Sequence, residues 1–151
     1  MRRVSILLAV AALTIAGTAL AGSRKTPLNV DKQGVILHGY DVVTYFDLNK
    51  PEPGVAAYSY GYMGATWRFV SAENRTKFVH DREKYMPRYG GYCAKAVSEN
   101  KLADIDPLAY KIVDGKLYLN YDMKVQRIWE EDIADRIEQA DKNWPALRPK
   151  I

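Results

Sequence analysis

Sulfur is scarce in this chain: Cys93 is the single cysteine among 151 residues. One thiol excludes an intrachain disulfide framework and the cysteine-rich zinc folds. Histidine is nearly as rare, with only His38 and His80. There is no glycine-rich phosphate loop, no Ser/His/Asp order, and no Cys-x-x-Cys or His-x-x-x-His spacing, which disfavours a hydrolase or a nucleotide enzyme. A strong charge of either sign is lacking too. The 22 basic and 18 acidic side chains leave +4, or +2 once Arg2 and Arg3 are set aside (20 against 18). That excess is too weak to point to nucleic acid as a partner. Internal repeats and low-complexity tracts are also missing. What is present is core material: 48% of residues are hydrophobic, with 11 Tyr, 3 Trp and 3 Phe. That suffices for one globular domain of ordinary size.

The N-terminus reads as an address. Met1-Arg2-Arg3 is basic, Val4 to Gly22 carries no charge, and Ala19-Leu20-Ala21 ends the run with small residues. This is the order of a cleavable secretory signal, removed after Ala21. The alternative is an uncleaved anchor, since about 18 apolar residues can span a bilayer. The expected location is the bacterial periplasm or outside, with membrane contact only through this segment before cleavage. That compartment is oxidising, so a lone thiol there must be buried or used. Residues 22–33 read as a loose leader, 34–145 as the domain and 146–151 as a tail.

Within the domain, Val35-Ile36-Leu37 reads as a short first strand ending at His38-Gly39. Ala57 to Tyr62 and Thr66 to Val70 alternate across Met63-Gly64-Ala65, the pattern of a hairpin with a glycine-containing turn. Ser71 follows as a helix cap. The clearest hairpin runs through Asp114-Gly115, because both central residues of such a turn take positive φ. Asp122 opens a long helix to about Ala140, with Val125, Ile128, Trp129, Ile133, Ile137 and Ala140 at steps of three or four. The expected fold is α+β: a small single domain, two β-hairpins in an antiparallel sheet, packed against helices that include a long C-terminal one. Ile112, Leu117 and Leu119 are expected to face that helix.

Two segments, Gly39-Tyr40-Asp41-Val42-Val43-Thr44-Tyr45-Phe46 and Tyr62 to Asn74 with Phe78 and Tyr85 beyond, resemble the YHS domain. Tyr89-Gly90-Gly91-Tyr92-Cys93-Ala94 through Tyr121 is similar to exported bacterial YHS-domain proteins. The resemblance covers roughly Gly34 to Pro145. It implies heavy-metal handling, as in copper-exporting ATPases, and relatives with selenocysteine where this chain has Cys93. The metal-type pattern places cysteines where this chain has Thr44 and Val70, so both implied ligand positions lack sulfur. Metal binding there is not inherited.

Cys93 follows a Gly-Gly pair and has three readings: a small buried hydrophobe, a ligand for a soft metal ion with copper foremost, or a reactive thiolate. Arg88 and Lys95 lie close in sequence and would favour the thiolate. The metal reading pairs Cys93 with His38, and Asp41 would orient the imidazole from behind. Two ligands leave the sphere incomplete, so a methionine, a second chain or an external ligand would complete it. A thiol redox protein with Cys93 as nucleophile is the alternative, and it would need an external resolving thiol. A non-catalytic structural or interaction domain is the third reading. His80, the thioethers of Met63, Met86 and Met123, and a tyrosine-rich pocket for an aromatic or anionic ligand are weaker candidates. Glu131, Asp135 and Glu138 share one helix face that is expected to be solvated. The expected partner is a metal ion or a small ligand.

Overall fold

In the computed structural model, which describes residues 25–150, alternation and turn chemistry give three separate two-stranded antiparallel ladders. The basic start, the apolar run and the Ala19-Leu20-Ala21 site lie outside the described residues. Among those described, no helix is long and apolar enough to cross a membrane. The fold is α+β, with the hairpins in separate ladders rather than one sheet.

The first ladder pairs β1 (Tyr40–Asp41) with β2 (Glu52–Pro53), on either side of α1 (Val42–Asp47). The second pairs β3 (Val55–Tyr62) with β4 (Ala65–Phe69). Met63 and Gly64 take φ of +50° and +76°, as a two-residue hairpin turn needs to follow the strand twist. On β4 the alternation is strict, and Ala65, Trp67 and Phe69 all point into the core. Ser71 then caps α2 (Ala72–His80), its Oγ accepting from the Asn74 N–H at 3.1 Å. A short α3 (Arg82–Tyr85) and α4 (Ala94–Ser98) follow. The third ladder, β5 (Asp106–Val113) with β6 (Lys116–Asn120), turns at Asp114 and Gly115, φ +50° and +72°.

The C-terminal helix is two helices. α5 (Met123–Glu130) and α6 (Ile133–Leu147) meet at Asp132, whose backbone is non-helical and whose carboxylate accepts from the Asp135 N–H. Asp132 serves as a new cap, where the even spacing of apolar residues suggested continuity. The helix also runs past Pro145 to Leu147, into what read as a tail.

β6 lies between two clusters and is buried on both faces. Leu117 and Leu119 pack with Trp67, Phe69, Phe78 and Tyr45. Tyr118 faces the other way, onto Trp129, Tyr89 and Val97. The side of β6 expected to meet the helix was therefore wrong: Tyr118 meets it, and the leucines serve the larger core.

Two single-turn segments are left-handed. Leu37, His38 and Gly39 have φ of +54°, +50° and +84°; Tyr89, Gly90 and Gly91 have +53°, +60° and +81°. The expected strand at Val35–Leu37 is reduced to isolated bridges, Val30 with Ile36 and Val35 with Thr66. The leader is not loose over its second half. Leu28 is only 3% exposed, Thr26 Oγ1 donates to the Met63 carbonyl at 2.6 Å, and the Asn29 N–H donates to the Gly90 carbonyl at 2.8 Å.

Candidate functional site

Cys93 precedes α4 and turns inward, 1% exposed. Its thiol donates to Asn120 Oδ1 at 3.7 Å, and the same oxygen accepts from the Lys95 N–H at 3.2 Å. Burial pushes the thiol pKa up, against smaller opposing contributions from the backbone N–H groups of Ala96, Tyr121 and Lys95. Of the two cations expected to activate it, Lys95 pairs with Glu99 and its charge opposes the upward shift only weakly, while Arg88 is engaged with Asp141 at 2.8 Å. The protonated thiol is thus the favoured form.

His38 lies on the surface, and its ring Nε2 is 2.9 Å from Asp104 Oδ1. Asn29 Nδ2 donates to the same oxygen at 2.8 Å and to the Gly91 carbonyl at 3.2 Å, so Asn29 and Asp104 tie the two left-handed turns together. Burial opposes the Asp104 charge, but hydrogen bonds from Asn29, the Ile105 N–H and His38 hold its carboxyl below the usual range. Asp41 does not orient His38. Its fully buried carboxylate accepts from the Val43 N–H at 2.8 Å, the Val70 N–H at 2.9 Å and Asn74 Nδ2 at 2.8 Å. Thr44 Oγ1 donates to the Asp41 carbonyl at 2.8 Å. The two positions where the resemblance implies cysteines, Thr44 and Val70, therefore both bind Asp41 in a closed polar network.

Cys93 and His38 share no hydrogen-bond partner among the described residues. Among the described residues, no three His, Cys, Asp or Glu side chains are grouped as a metal site. The one sulfur is sealed in the core, and the imidazole lies at the surface with its Nε2 on a carboxylate.

The structure places more of its chemistry elsewhere, in a cleft of about 630 Å³. Leu28, Met63, Met86, Tyr62, Tyr89 and Trp144 form its apolar and aromatic wall, and Arg82, Lys84, Arg88, Lys116 and Arg148 its cationic rim. Only Glu83 and Asp114 oppose them, so five cations against two carboxylates leave +3. Arg82 lies 5.0 Å from the centre of the Tyr62 ring and 5.7 Å from that of Tyr60, and it donates to Tyr60 Oη at 3.0 Å. Lys84 Nζ lies 4.8 Å from the Tyr85 ring centre. Ring faces hold these cations in place without neutralising them. Arg88 alone of the three along this stretch has an acid partner, Asp141. Arg82, Lys84 and Lys116 have no carboxylate within 4.0 Å among the described residues. Met63 and Met86 share this cleft, but its net positive charge repels a metal cation.

Compared with protein-family models, curated proteins and solved structures, the chain finds no match in any of the three. Met63, Met86 and Tyr62 stand out in the sequence, and Arg88 does so only as a neighbour of Cys93, whereas Arg82, Lys84 and Lys116 carry no motif of their own. Their trace was visible as Arg82-x-Lys84-x-x-x-Arg88 beside Tyr85 and Tyr89. Only the fold adds Lys116 from a hairpin tip and Trp144 from α6.

Proposed function

We propose that this chain is an exported YHS-like domain that binds rather than catalyses, and that it holds an anionic small ligand in the Arg82–Lys116–Trp144 cleft. The observation that carries this reading is the set of cations around the cleft that lack acid partners. Charges lining a concave, partly apolar wall focus potential into it and raise the local concentration of anions. A cleft of this volume with a few polar groups on an apolar wall also has the build of a small-molecule site. The buried, unactivated thiol supports binding over nucleophilic chemistry.

The test is titration of the protein with an anionic naphthalenesulfonate dye. Binding should weaken on going from low salt to about 0.5 M, as exposed charge interactions are screened, and should weaken again in a Lys116→Gln, Arg148→Gln double variant. Equal affinity for a cationic dye of the same shape, or full binding by that variant, would sink the reading.

A further inference from the structure

Resting on that reading, we infer that the cleft is built for a dianionic group of phosphate-monoester type carried on a flat ring. Charge favours a dianion. A monoanion neutralises one of the cations around the cleft and leaves the others repelling each other across it. A phosphate monoester carries about −1.5 to −2 charge near neutral pH and offers three strong acceptor oxygens. It can therefore engage several donors at once.

The donors are of two suitable kinds. Arg82 is a planar fork, which matches two phosphate oxygens together. It is fixed against Tyr62 and Tyr60, so little side-chain freedom is lost when it binds. Lys84 and Lys116 are point charges that approach from α3 and from the tip of the β5–β6 hairpin. Two chain segments, α3 with Arg82 and Lys84 and the β5–β6 hairpin with Lys116, thus bring positive charge to one volume. A lone surface lysine would offer far less, since an isolated exposed ion pair is weak and screened by salt.

The aromatic part of the lining favours a flat ring. Trp144 and Tyr89 stand edge to face with centres 5.9 Å apart, and Tyr92 lies 6.2 Å beyond Trp144. Trp144 is only half buried and lines the cleft. An aromatic surface left partly open beside unpaired cations suits a ligand with one flat apolar end and one charged end.

The experiment is calorimetric titration, at one pH above 7 and low salt, with phenyl phosphate, benzenesulfonate and inorganic phosphate. Phenyl phosphate is expected to bind about tenfold more tightly than either of the others. Arg82→Gln should weaken all three, and Trp144→Leu should weaken the two ring compounds while leaving inorganic phosphate unchanged. Benzenesulfonate binding as tightly as phenyl phosphate would overturn the dianion and leave the anion-binding reading standing. Inorganic phosphate binding as tightly as phenyl phosphate would overturn the ring. If no anion binds, the inference and the reading beneath it both fail.

Discussion

Two acidic side chains of the same type, Asp41 and Asp104, carry very different weights, and burial decides which. Asp104 holds His38 at the surface, where an exposed ion pair contributes about 0–1 kcal/mol. Asp41 is fully buried and accepts from three donors on three segments. Removing its carboxylate strands the buried Val43 N–H and two partly buried donors, at roughly 1–3 kcal/mol for each group left buried and unpaired. Asp41→Ala should therefore cost roughly 3 kcal/mol or more in urea melts, and His38→Ala under 1. Equal losses would mean that the Asp41 network is not closed in solution. Cys93 carries the pH prediction. Its folded pKa is raised by burial, so the unfolded chain loses its proton first, near the ordinary thiol value of about 8.5. Above that pH the unfolded state holds fewer protons than the native one, and stability falls as pH rises. Between pH 8.5 and the onset of tyrosine titration near 10, the native protein should lose stability relative to Cys93→Ala. Alkylation of the native thiol should also be slow. Parallel pH curves for the two proteins would show that the thiol is not desolvated.

At the scale of elements, legibility in the sequence tracked whether the controlling residue is local. The turns at Met63-Gly64 and Asp114-Gly115 were readable because a glycine sits where positive φ is needed. Ser71 was readable because a cap acts within three residues. The left-handed turn at Leu37-His38 was not, since leucine does not favour that conformation and the bonds that flank the turn, from the Ile36 N–H to the Thr66 carbonyl and from the Gly54 N–H to the Gly39 carbonyl, come from distant segments. The helix break was hidden because Asp132 caps α6 within an apolar period that continues across it. β6 misled for another reason: a strand buried on both faces has no polar side, so its pattern cannot say which neighbour each face meets. Trp129 survives as a core residue through all of this. It is fully buried and 5.4 Å from the Tyr118 ring. Trp129→Ala should cost about 3–5 kcal/mol and lower Tm sharply, while the exposed Glu131→Ala should change little. A Trp129→Ala protein with near-normal Tm would mean that the α5 face is assigned wrongly.

Across the whole molecule, the candidate site is assembled from residues 27 to 148. No window of sequence contains it, whereas a lone cysteine is visible in any window that holds it. The same long reach gives the N-terminal segment a structural role that its polar composition conceals. Leu28 is buried in the larger core, Pro27 and Leu28 line the cleft, and Asn29 joins the Gly90 and Gly91 carbonyls to Asp104. The contact with the second left-handed turn is close: a Cβ on Gly90 would lie 2.6 Å from the Pro27 carbonyl oxygen. Starting the chain at Asp31 removes all of this at once. Burial of one leucine contributes about 1.5–3 kcal/mol, and the Gly90 and Gly91 carbonyls and Asp104 lose the bonds to Asn29, at about 1 kcal/mol net each. A chain beginning at Asp31 should therefore unfold several kcal/mol more easily than one beginning at Gly22. Gly90→Ala in the longer chain should also destabilise it, because its backbone neighbour cannot yield cheaply and its φ of +60° is strained for alanine. Gly61→Ala, with nothing within 4 Å of the added carbon, should be nearly neutral. If the truncated chain melts at the same temperature as the longer one, residues 25–30 are the loose leader that their composition suggests, and the cleft has lost one of its walls.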